Sequence, residues 1–163
     1  MMKSIKVFGI VMGLATFASP SLADIRVIII DRNDAPYSLG PANYDNSPTN
    51  YANSATNYDN SATNYDNSHT NYDNSKTNYE NGPSGNRSVI GPSGSRVGYY
   101  VFSSAGVLNF YSSQRRVAFM PSGGHTQSVF ASSGNTWCGT IADISGEPVL
   151  ALTRNCYLQF LMD

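Results

Sequence analysis

The chain divides by its pattern of apolar and polar positions into four stretches. The first is an uncharged, mostly apolar run, Val7–Ala18, preceded by Lys3 and Lys6 and followed by small side chains at Ser21 and Ala23. Positive charge, apolar run and small-residue cleavage site, in that order, predict a secretory signal over residues 1–23, cut after Ala23. The run is shorter than the ~20 residues a membrane span needs, and no later run is long and apolar enough. The mature chain is therefore expected to lack a transmembrane segment and to work in the bacterial periplasm or outside the cell.

The second stretch, residues 24–42, opens with Ile25–Ile30, which is β-branched and apolar at nearly every position. That pattern predicts a strand covered on both faces. Asp31–Asp34 supplies turn chemistry, and Pro36 stops a continuing ladder. An uncovered strand of this kind aggregates, so it is expected to pair with the C-terminal β-domain.

The third stretch, residues 43–84, repeats every seven residues: NYDNSPT, NYANSAT, NYDNSAT, NYDNSHT, NYDNSKT and a degenerate NYENGPS. A coiled-coil seam needs two apolar positions per heptad, and here Tyr is the only one. Asn, Asp, Ser and Thr compete for the backbone and disfavour helix interiors. A continuous strand would send successive tyrosines to opposite faces, because seven is odd. With no aliphatic core to offset ordering, the expectation is a disordered, turn-rich, low-complexity excursion. On that reading its removal leaves stability nearly unchanged.

The fourth stretch, residues 85–163, alternates short apolar runs with Gly/Ser/Pro clusters. Val97–Ser103 and Val107–Tyr111 read as a hairpin. Further strands are expected at Arg116–Met120, Ser128–Ala131, Thr136–Ile144, Pro148–Thr153 and Cys156–Met162. The fold class is mostly β: a small sandwich or barrel-like domain. Both cysteines, Cys138 and Cys156, fall within it, and in an oxidising compartment they are expected to pair.

Composition narrows the function without naming it. Charged residues are 13% and the net charge is -1. Without a basic excess, nucleic acid is not an expected partner. Carboxylates and histidines in the β-domain are few. His125 with Asp143 and a serine could make a hydrolase, and Asp143 with Glu147 an acid/base pair, but both acids flank the turn at Ser145–Gly146. No cofactor is indicated beyond weak Ca²⁺ coordination by Asp45, Asp59, Asp66 and Asp73 among Asn and Ser oxygens. Tyr44, Tyr51, Tyr58, Tyr65, Tyr72 and Tyr79, with Trp137 and His125, are the candidate binding residues, since Tyr and Asn can stack on and hydrogen-bond to sugars. The expectation is a non-enzymatic binding or structural protein that contacts glycan or itself. A small exported hydrolase using His125, or a secreted inhibitor or effector, is the alternative.

Overall fold

The computed structural model describes residues 24–113 and 115–162. The expected export signal, residues 1–23, lies outside them. Eight strands close into one barrel in chain order. They are β1 (Ile25–Ile30), β2 (Ser88–Ile90), β3 (Arg96–Phe102), β4 (Leu108–Ser112), β5 (Arg115–Met120), β6 (Ser128–Ala131), β7 (Trp137–Ile144) and β8 (Glu147–Thr153). From β2 to β8 every neighbour is antiparallel, whereas β1 runs parallel to both β2 and β8. Closure leaves no long unpaired edge.

The turns follow from their residues. At the β7–β8 hairpin Ser145 and Gly146 both take positive φ (58° and 84°), and Asp143 Oδ1 accepts from Gly146 N at 2.8 Å. Two positive φ values suit a two-residue turn to the twist of its strands. The first two hairpin strands expected from the sequence, now β3 and β4, pair as Tyr99↔Tyr111 and Tyr100↔Phe110.

Strand alternation sorts the side chains. Ile25, Val27, Val89, Tyr100, Leu108, Phe110, Val129, Leu150 and Leu152 form one cluster drawn from around the barrel. This is the barrel interior. Cys138 and Cys156 join it and are disulfide-bonded, 18 residues apart. Closing a loop of that length stabilises by about 3 kcal/mol in the chain-entropy model.

Three expectations need correction. β1 is not covered on both faces: Ile25 and Val27 are buried, Arg26 is exposed and Ile29 is 37% exposed. Its first half alternates like the other strands, whereas Ile29, on the same face as Ile25 and Val27, reaches solvent, and Ile30 on the opposite face packs against the cluster of Val107, Phe119, Phe130 and Trp137. Cys156–Met162 is not a strand but belongs to a helix, α1 (Arg154–Leu161). Cys156 and Phe160 lie four residues apart on one helical face, and both reach the interior cluster, where Phe160 meets Phe110 edge-on. Arg115 donates to the carbonyls of Gln159 and Met162 at the helix's C-terminal end, where a cation complements the unpaired carbonyls. An apolar run this short has no period to separate helix from strand. The third correction concerns the heptads, which are ordered.

Parallel neighbours cannot be joined by a tight turn; they need a long crossover. The heptads are that crossover. They carry the chain from the end of β1 to the start of β2 as a succession of short 3₁₀ turns, Tyr44–Asn46 through Tyr79–Asn81, one in each heptad.

Candidate functional site

Each heptad folds by hydrogen bonds among its own polar groups. In the heptad of Tyr58, the first Asn caps the turn: Asn57 Oδ1 accepts from Asp59 N at 3.1 Å. Backbone bonds of the i→i−3 kind follow, from Asn60 to Asn57, Ser61 to Tyr58 and Asn64 to Ser61. Ser61 Oγ accepts from Thr63 N and lies 2.8 Å from Thr63 Oγ1. These are the local side-chain turns that Asn, Ser and Thr favour.

The second Asn links one coil to the one before. Asn67 Nδ2 donates to Asp59 O at 2.7 Å and to Ser61 O at 3.1 Å, using both its hydrogens. Asn53, Asn60, Asn74 and Asn81 repeat the pattern. All of these side chains are at most 1% exposed. A carboxylate has no such hydrogens to donate.

The same Asn column faces the barrel. Thr126 Oγ1 donates to Asn46 Oδ1 (2.6 Å), and His125 Nε2 lies 2.7 Å from Asn53 Oδ1. Asn109 Nδ2 donates to Asn67 Oδ1, Tyr111 to Asn67 O (2.7 Å), and Tyr99 to Asn74 O (2.8 Å). Arg87 and Arg96 donate to Asn81. These anchors progress from the loop before β6, through β4 and β3, to the start of β2. The strap therefore crosses the strands on the outside of the barrel. Beneath it lie the outward side chains Tyr99, Val101, Tyr111, Val107, Phe119, Phe130 and Trp137, with Ala55 of the strap packed among the last four.

Burial shapes the chemistry under the strap. It raises the phenol of Tyr99 to about 12 and that of Tyr111 further, and inside the barrel it raises that of Tyr100 to about 12. It lowers the Arg116 guanidinium to about 10. Arg116 donates through Nε to Asn109 Oδ1 at 2.6 Å and lies over the Phe119 ring. A phenol whose pKa is higher folded than unfolded lends stability that is complete below about pH 10 and is lost as pH climbs through the folded value. Arg116 works oppositely, because its costly burial is relieved once it can deprotonate. Burial lowers the Arg96 guanidinium as well, but Arg96 is less enclosed than Arg116, and the three phenols outweigh the two guanidiniums. The protein is expected to melt at markedly lower temperature at about pH 11 than at neutral pH, with phenolate absorbance rising as it unfolds. Tyr99→Phe with Tyr111→Phe should blunt that alkaline loss. An unchanged pH profile in the double variant would show that these phenols do not couple the strap to pH.

What remains is the solvent side of the strap. Tyr44, Tyr51, Tyr58, Tyr65, Tyr72 and Tyr79 are each 61–70% exposed. Their phenol oxygens have no hydrogen-bond partner among the described residues. Tyr37, 69% exposed, extends the row to seven. It stands seven residues before Tyr44, and Asn46 Nδ2 donates to Ser38 O at 2.9 Å just as later coils reach back eight residues. Pro36–Ala42 is therefore a further, degenerate coil with buried Leu39 in the Asn position. The tyrosine spacing carried this signal, but the surrounding residues differ too much for the repeat to stand out.

The other candidates fall elsewhere. Trp137 is 2% exposed and donates through Nε1 to Ser128 Oγ, so it sits in the core beneath the strap. His125 anchors the strap, and Asp143 serves its turn; no hydrogen bond joins the two. Asp45, Asp59 and Asp73 are exposed and Asp66 is half-buried. Among the described residues, no three His, Cys, Asp or Glu side chains gather into a group that could hold a metal. No helix among them is long and apolar enough to cross a membrane. No family model, curated protein or solved structure matches this chain.

Proposed function

We propose that this is an exported, non-enzymatic binding protein whose working surface is the tyrosine row of the strap, and that its partner is a glycan of the envelope or the extracellular space. One observation carries the reading. Of the five heptad positions that repeat most faithfully, four are used by the fold itself. The first Asn caps, the second Asn bridges, and Ser and Thr close the turn. Tyr alone recurs in every copy with its ring in solvent and its hydroxyl unpartnered. Folding does not require an aromatic there. Amphipathic rings at regular intervals offer stacking faces and hydroxyls to a polymer of repeating units, and several weak contacts on one rigid scaffold add as avidity. The disulfide agrees with an oxidising compartment. The competing hydrolase loses support because His125 is held by Asn53.

The test is cosedimentation with insoluble glycans, namely peptidoglycan sacculi, chitin and cellulose. The parent protein should bind at least one of them. Replacing Tyr51, Tyr58, Tyr65 and Tyr72 by Ala should lower that binding by roughly tenfold or more. Thermal stability should hardly move, since exposed substitutions away from structural contacts stay within about 0.5 kcal/mol each. No binding by the parent, or equal binding by the variant, would sink the reading.

A further inference from the structure

Beside the tyrosines runs a second feature that folding leaves unused. The residue after Tyr is acidic in five of the six heptads: Asp45, Asp59, Asp66, Asp73 and Glu80. Its backbone N–H takes the Asn cap, but its carboxylate has no hydrogen bond or ion pair among the described residues. Across residues 43–84 the only fixed cation is Lys76, so five acids against one lysine leave the strap at -4.

That charge discriminates among occupants. Two straps stacked face to face would bring like charges together, which disfavours a second copy of the chain. A uronic-acid polymer meets the same repulsion. An uncharged glycan could stack on the rings but would find no use for the acid that recurs beside them. An ammonium group uses both, the ring through its negative face and the carboxylate through a charge-assisted hydrogen bond. Resting on the tyrosine row as the binding surface, we infer that the strap takes a linear polysaccharide carrying free amino groups, which engages several coils at once. Ala52, the one heptad position where the acid is missing, is then a weak point of the row.

Titration calorimetry with defined oligosaccharides tests this. A glucosamine hexamer should bind roughly a hundredfold more tightly than the dimer, because contacts on successive coils multiply. It should also bind roughly tenfold more tightly than the N-acetylated hexamer and weaken with salt, while a uronic-acid hexamer should not bind. Asp59→Asn, Asp66→Asn and Asp73→Asn together should remove the preference for free amines and leave the N-acetylated hexamer unaffected. Ala52→Asp should raise affinity for the glucosamine hexamer by roughly twofold, a gain that damaged folding cannot mimic. Equal binding of the free and acetylated hexamers, or no effect of either set of changes, overturns the amine specificity while the tyrosine surface stands. Dimerisation abolished by the tyrosine substitutions would instead assign the row to self-association. Failure of every oligosaccharide and every insoluble glycan would remove both proposals.

Discussion

Excision of two whole heptads, residues 57–70, is expected to unfold the protein or leave it insoluble. The cut removes Asn67, whose side chain and carbonyl receive Asn109 and Tyr111. It also shortens the crossover that must reach from β1 around to β2, so the remaining anchors cannot all be met. Tyr99, Val101 and Tyr111, each at most 3% exposed, would lose part of their cover. Lost apolar burial at about 25 cal/mol per Å² and two or more unpaired buried polar groups put the cost on the order of 5 kcal/mol. That approaches the whole stability of an ordinary domain. Composition alone pointed the other way, toward heptads removable without penalty. Thermal melting of the excised and parent chains decides: if both melt together, the strap is dispensable and the anchors described above carry no weight. Removal of Ile25–Ile30 should be equally damaging, because β1 closes the barrel.

Asn67→Asp should be the most damaging single substitution in the strap. It changes little in size, yet it replaces two donors with an acceptor that faces the carbonyls of Asp59 and Ser61. A buried carboxylate whose only remaining partner is the Asn109 amide, and two orphaned carbonyls, together cost about 3–5 kcal/mol. Denaturant unfolding should register this as a lower midpoint, partly restored at acidic pH, where the carboxyl becomes a donor. Asp73→Asn, an equally small change on the exposed side of the strap, should stay within about 0.5 kcal/mol. Equal midpoints for the two variants would mean that the Asn column does not hold the coils together.

The barrel strands were legible because they obey local rules. Period-two alternation, β-branched runs and Gly/Ser/Pro turns marked seven of the eight. The eighth, Ser88–Ile90, is too short between its two turns to show a pattern. The disulfide was legible from compartment and proximity. The strap was misjudged because its order does not come from apolar burial. Counting aliphatic residues misses a segment whose Asn, Ser and Thr side chains satisfy the backbone and whose Asn column docks on a prepared face. That Trp137 is buried beneath the strap was not legible for a related reason, since an aromatic's side of a strand depends on a register that pairing alone settles.

By itself, then, the sequence determined the local conformations: strands where branched and aromatic residues alternate, tight turns where Gly and Asn permit them, and one short polar turn per heptad. It also determined the period of seven that makes every coil alike. Tertiary structure decided the rest. Parallel pairing of β1 with β2 turned the heptads into a crossover and laid them over Tyr99, Tyr111 and Phe119. Docking committed the second Asn of each heptad to the barrel side and left Tyr and its acidic neighbour toward solvent. Which side of a repeating polar coil is buried depends on what it packs against, and that surface is assembled from strands distant in the chain.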